Sequence, residues 1–396
     1  WVTVISNMIM ATKHDVIKEE LEGYLNASRV EKSKILDRLE TTLRMHRKAI
    51  IRRFKVIQLR SVGYNWNDHR GRPLYYTPDV TTALKYIWDN SHELCAERLH
   101  PVIHEYVEIF IRDGMWKFND ETTDKLLSMS IGTMKDRLYG FERVISGGGR
   151  CMTKPSDLKE VIPVRRGPWD NPDPGYGEVD TVSHCGNTAE GRFANTVQYT
   201  DISLTWCFLG AQMGKGKRET VANISSMRKR SPFKWSGIDP DSGGEFINWN
   251  LHRWCNQRRI QMTRIRPGMK NDHGHIEQKN DKNVRKFAGY VRIDTMERLD
   301  ILNQMYRVLE IYINHFLPSM KCIKKIRYNI THSSRKYDVP KTPYRRFMEH
   351  SEIPESDKKK LRAFHETLNP KILHDEILRL RKKLFAGAKF TKNMIQ

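Results

Sequence analysis

Tyr176-Gly177-Glu178-Val179-Asp180-Thr181-Val182-Ser183 is a β-branched, alternating run with a carboxylate near its centre. Alternation over this length predicts a strand, and Asp180, set between Val179 and Val182, is costly to bury unless a cation compensates it. Further along, 193–199 and 204–211 read as strands, and Lys217–Arg230 reads as an amphipathic helix stopped by Ser231-Pro232. A short strand at 234–238 runs into the turn Asp239-Pro240-Asp241-Ser242-Gly243-Gly244. Then 245–258 reads as helix, 260–265 as strand and 271–287 as a helix with a polar start.

Three strands, then helix, strand, helix, strand, helix is the ribonuclease-H-like order. It predicts an α/β core over 176–315, a mixed five-stranded sheet with flanking helices. Three acids occupy special places in that order. Asp180 lies within the first strand, Asp241 just past the fourth, and Glu277 within the last helix, in His275-Ile276-Glu277-Gln278-Lys279-Asn280. One sheet edge can gather all three. Oxygen-only ligands suit a hard divalent cation, and two such ions can serve the attacking and leaving oxygens of an in-line displacement. No nucleophilic Ser, Cys or Tyr is then required.

The stretch 176–290 resembles the integrase-type catalytic core of bacterial insertion-sequence transposases, relatives of the retroviral integrases. The likeness rests on Gly177-Glu178-Val179-Asp180-Thr181, on 239–246 with Ile247-Asn248, and on 263–280. Between Asp241 and Glu277 lie 35 residues, the separation for which the DD(35)E group is named. The resemblance implies that Asp180, Asp241 and Glu277 bind two Mg²⁺ (or Mn²⁺) ions and catalyse DNA 3′-end cleavage and strand transfer. It also implies double-stranded DNA partners (terminal inverted repeats and target), a homodimer or higher multimer on DNA, and a place in the bacterial cytoplasm at the nucleoid. The family's D-N-G is here Asp241-Ser242-Gly243; a Ser can serve the same turn. Asp239 is the competing second aspartate, otherwise a turn residue or supporting partner. Arg264 and Arg266 are candidate contacts to the DNA end. Lys279 and Lys282, with Lys286, are candidate phosphate contacts or a solvated face. His184 shares a strand face with Asp180 and reads first as packing. Glu178 reads as structural.

Upstream the texture is all-α, a helix–turn–helix DNA-binding region. In 33–54 apolar residues recur at helical spacing, broken at Thr41-Thr42, and a second helix from about Met45 carries His46, Arg47, Lys48 and Arg52. We place this domain at 1–65. Arg70-Gly71-Arg72-Pro73 resembles an AT-hook core, with Arg70 and Arg72 suited to a narrow minor groove. A second helical DNA-binding domain is expected at 66–145, with a turn at Met129-Ser130 followed by a helix bearing Lys135. The Gly- and Pro-rich 146–175 is a linker. The basic region 316–396 is expected to be partly helical, with Leu373, Ile377, Leu380 and Leu384 packing within the protein or against a partner helix.

The charge balance agrees. The chain has 69 Lys+Arg against 47 Asp+Glu, a net +22, and such an excess favours polyanions, nucleic acid first. Six scattered cysteines without a CxxC pair argue against a zinc ribbon or a disulfide framework. His100 and His104 read as surface residues. No stretch reaches a membrane span or a signal peptide. The chain opens on Trp1 rather than Met, which leaves a longer native start open. Two other readings stay in view: a ribonuclease-H-like nuclease without strand transfer, and a domesticated DNA-binding regulator without catalysis.

Overall fold

The computed structural model describes residues 10–61, 75–141, 173–241, 243–264, 280–327 and 333–386. The chain divides into two compact units, Trp1–Leu74 and Tyr75–Gln396.

The first unit is helical: α1 (Met10–Glu19), α2 (Leu21–Asn26), α3 (Arg29–Leu43) and α4 (Arg47–Ser61). Ser28 starts α3 through a reciprocal cap with Glu31, satisfying two orphan N–H groups of the first turn. The break falls at 44–46 rather than at Thr41-Thr42. Thr41 and Thr42 stay helical because Leu39 and Leu43 on either side of them are buried in the unit's core; the Thr41 hydroxyl donates to the Asp37 carbonyl at 3.0 Å, and Arg44 then turns the chain in the left-handed region (φ 50). Leu36, Leu39, Leu43, Ile50, Phe54 and Ile57 bury one stripe from each long helix against Ile17.

The second unit opens with α5 (Pro78–Asn90), α6 (Ala96–Leu99), α7 (Ile103–Arg112), α8 (Asp120–Leu127) and α9 (Ile131–Tyr139). The sheet follows: β1 (Tyr176–Ser183), β2 (Ala194–Asp201), β3 (Cys207–Met213), α10 (Lys217–Arg230), β4 (Gly237–Pro240), α11 (Trp249–Gln257) and β5 (Gln261–Met262). Its order is β3-β2-β1-β4-β5, antiparallel among β1, β2 and β3 and parallel across β1, β4 and β5. That mixed, five-stranded arrangement is the expected ribonuclease-H-like one. After the sheet come a π-helical segment (Asn280–Arg285), α12 (Met296–Phe316), the hairpin β6 (Cys322–Arg327) and β7 (Ser333–Tyr337), then α13 (Pro343–Glu349), α14 (Glu355–Glu366) and α15 (Pro370–Phe385).

Both sheet faces are covered, so every residue of β2 is buried. On one face Val179, Val197, Tyr199 and Ile238 meet Ile224 and Met227 of α10 and Leu251 and Trp254 of α11. On the other, Val182, Ala194, Leu209 and Ala211 join α12, α15 and helices α5 to α9 in one cluster. The helical block expected as a separate domain to 145, and the tail from 316, therefore share a core with the sheet. Their junctions are hydrogen-bonded: Tyr312 donates to the Asn90 carbonyl at 2.8 Å, Arg112 to the Leu368 carbonyl at 2.9 Å, and Arg345 to Glu105 at 2.8 Å. Leu380, Leu384 and Ile377 are buried in that cluster, so the last helix packs inside its own chain.

Helix α12 also serves the outer edge of β3. Asn314 accepts from Cys207 N–H and donates to its carbonyl, both at 2.8 Å. Asn303 does the same for Ala211 at 2.8 and 3.0 Å. Between them Glu310 accepts from Leu209 N–H at 2.7 Å, and Arg230 holds that carboxylate at 2.7 Å.

Candidate active site

Parallel pairing of β1 and β4 sets Glu178 beside Asp239 and Val179 beside Pro240. One step on, the Asp241 N–H donates to the Val179 carbonyl at 3.2 Å, so Asp241 leaves β4 alongside Asp180. The two aspartates thus stand side by side, Asp241 just past the end of β4 and Asp180 within β1. Each is held locally. Asp180 Oδ1 accepts from Thr181 N–H at 2.7 Å, and Asp241 Oδ1 accepts from Gly243 N–H at 2.7 Å.

Burial pushes the Asp241 carboxyl up to about 6, helped by the negative fields of Asp180 and Glu245 and opposed by the Gly243 N–H and Lys215. Like charges held close in a half-buried place raise a carboxyl in this way. A third acid sits at the same turn: Glu245 is buried and pairs with Lys215 at 2.9 Å. Gly243 explains how both acids fit. A Cβ there would lie 2.6 Å from Glu245 Oε2 and 2.8 Å from Asp241 Oδ1, so any side chain would collide with both carboxylates.

Asn248 organises the far side of the turn. Its Oδ1 accepts from the N–H groups of Asn250 and Leu251, both at 3.1 Å, and its Nδ2 donates to the Glu245 carbonyl at 2.7 Å. That cap delays the helix to Trp249, four residues later than the pattern predicts.

The other expected residues divide clearly. Asp239 is no turn residue: it is buried within β4 and accepts from the Thr263 hydroxyl at 2.7 Å, which in turn meets the Tyr176 hydroxyl at 2.5 Å. Glu178 is fully buried on the strand face it shares with Asp180. His184 is also fully buried, with Nε2 at 2.7 Å from Thr196 Oγ1, and burial beside Arg285 lowers it to about 3. It is a neutral packing residue. Arg264 is half-buried just past β5. Glu277, Arg266, Lys279, Arg70 and Arg72 lie outside the described residues, as does the Lys282 side chain. Lys286 donates to the His92 carbonyl at 2.9 Å.

In the first unit, Arg47 is tied to Asp37 and to Ser33 Oγ, and His46 Nδ1 accepts from Lys48 N–H at 3.2 Å. Lys48 and Arg52 are exposed. Lys135 pairs with Glu97 at 3.3 Å on the surface.

Sequence reasoning missed Glu245 and Lys215. Glu245 passes for a first-turn helical acid; the signal was the Gly243-Gly244 pair before it, which keeps the turn open around its carboxylate. Among the described residues no group of three His, Cys, Asp or Glu side chains could hold a metal ion. Asp180 and Asp241 present oxygen donors of the kind Mg²⁺ takes. No helix among the described residues is long and apolar enough to cross a membrane.

No protein-family model matches the chain. It is 34% identical over 340 residues to the uncharacterized protein y4rM of Sinorhizobium fredii (strain NBRC 101917 / NGR234), covering 85% of this chain and 95% of that one. Among solved structures, the HTLV-2 integrase catalytic core domain in complex with magnesium (dimeric form) is 12% identical with a TM-score of 0.29, covering 37% of this chain and 90% of that one.

Proposed function

We propose that this chain, which belongs to the family of the uncharacterized protein y4rM, is a DDE-type transposase, a polynucleotidyl transferase that cuts and joins DNA. The observation that carries the reading is the pair Asp180 and Asp241, brought together where β4 ends beside β1, with the Asp241 carboxyl raised by burial and by Asp180. A half-buried pair of carboxylates is costly unless a cation offsets it, and perturbed carboxyls of this kind cluster at functional sites.

Asp180 and Asp241 hold their side chains ready through the backbone N–H groups of Thr181 and Gly243, with Glu277 the third acid of the set. Two Mg²⁺ or Mn²⁺ ions bound there would supply activation of the attacking oxygen and stabilisation of the leaving one. The first unit reads element ends: α4 presents Lys48 and Arg52, while Arg47 braces it against α3. Synapsis of two ends implies a dimer or larger assembly on double-stranded DNA, in the bacterial cytoplasm.

The test is a Mg²⁺-dependent oligonucleotide assay with the inverted repeats that flank the gene. Wild type should nick the 3′ end and join it to target DNA. Asp180→Asn, Asp241→Asn and Glu277→Gln should each abolish both steps while end binding persists. Nicking without joining would leave a simple nuclease, and binding without nicking a DNA-binding regulator. Normal joining by any of the three variants ends the proposal.

A further inference from the structure

Glu245 is only 9% exposed and shares the Asp241 turn, yet its partner Lys215 reaches solvent with 44% of its side chain accessible. The pair joins two parts of the site. Lys215 follows β3 in the loop Gly214-Lys215-Gly216, ahead of α10, while Glu245 belongs to the turn after β4. Glu245 uses Oε1 to hold the ammonium at 2.9 Å, and its Oε2 faces the space left by Gly243, beside Asp241. An ammonium has three donors, and one bond to Glu245 leaves two for other partners. Arg192 is a second exposed cation by the same loop, its Nε 3.8 Å from where a Gly214 Cβ would lie.

A buried acid is a poor way to stabilise a surface lysine, since exposed ion pairs contribute little. It is a good way to fix where a lysine points. We propose that Glu245 tethers Lys215 at the rim of the carboxylate site so that its ammonium binds a backbone phosphate of the DNA strand lying across Asp180 and Asp241. This rests on the reading of the site as one for phosphodiester chemistry. Lys215 is the phosphate contact and Glu245 the positioning residue. A lysine acts here as a point charge, so the contact carries no sequence preference and holds the strand in register over the acids.

The test is anisotropy of a fluorescein-labelled duplex across a salt series, in Ca²⁺ to avoid turnover, with Lys215→Ala, Lys215→Arg and Glu245→Gln. Losing one phosphate contact lowers the slope of log affinity against log salt by about 0.9 and weakens binding several-fold. Lys215→Ala should show that loss and Lys215→Arg should not. Glu245→Gln leaves the cation present but untethered, so the slope should hold while single-turnover cleavage slows about ten-fold. Mn²⁺ affinity, read by calorimetry on Lys215→Ala without DNA, should stay equal or tighten, because a cation near the acids has gone. An unchanged slope in Lys215→Ala overturns the proposal and leaves Lys215 a counter-ion to the acids. Failure of wild type to bind the duplex at all would instead sink the reading of the site.

Discussion

Replacing Asp241 by Asn removes one charge from the half-buried acidic turn and should make the metal-free protein more stable. The Asp241 carboxyl is raised from 3.8 to about 6 by burial and by Asp180. Its folded value therefore exceeds its unfolded one. The site imposes no penalty below about pH 4, a growing one between 4 and 6, and the full one above. Two units correspond to about 3 kcal/mol as a ceiling, and partial solvation reduces this to about 2. In a unit of this size that is roughly 4 °C in melting temperature. Thermal melts in EDTA at pH 7 should show Asp241→Asn above wild type by that margin, and the gap should shrink by about half near pH 5. Mg²⁺ at ten times its dissociation constant should raise wild type by about 1.4 kcal/mol and leave the variant unmoved. A variant that melts no higher than wild type in EDTA, or gains as much from Mg²⁺, would show that these carboxylates neither repel one another nor share an ion.

Gly243→Ala puts a methyl group against the ends of the Asp241 and Glu245 side chains, which have to shift, and should cost about 1 kcal/mol; an unchanged urea midpoint would contradict that crowding. Asn314→Ala strips the N–H and carbonyl of Cys207 of their side-chain partner and should cost about 2–4 kcal/mol, against which a loss below about 0.5 would argue. His184 and His315 are both pushed down to about 3, chiefly by burial. Their neutral forms contribute stability that is complete above about pH 6.5 and falls with acidification, by about 1.4 kcal/mol per pH unit each. His315→Phe should flatten the dependence of unfolding free energy on pH between 6 and 4, and identical slopes would rule out its neutrality.

The sheet-bearing half was readable where local pattern and tertiary environment agree. β1 and α10 begin and end where the sequence places them, because alternation and Ser231-Pro232 act locally. Strand order allowed Asp180 and the turn after β4 to meet at one sheet edge, while the choice of Asp241 over Asp239 came from the resemblance. Elsewhere distant partners decided. The strand expected at 260–265 is confined to Gln261–Met262, and the fourth strand starts at Gly237 rather than Lys234. Thr41 and Thr42 look like breakers until Leu39 and Leu43 are seen buried on either side of them. Lys215 and Glu245 lie thirty residues apart, with no periodicity to pair them. The helices from Pro78 to Tyr139 form an apolar block whose sequence does not say that Leu309 and Tyr312 will complete its core.

Exposed strand borders invite another chain to lie alongside. Here amides and a carboxylate from α12 imitate the missing neighbour of β3, answering the backbone at Cys207, Leu209 and Ala211. That border of the sheet is closed to extension by a second copy or by a peptide. A second copy of this chain would have to meet the first through side-chain surfaces, and not by merging sheets across β3.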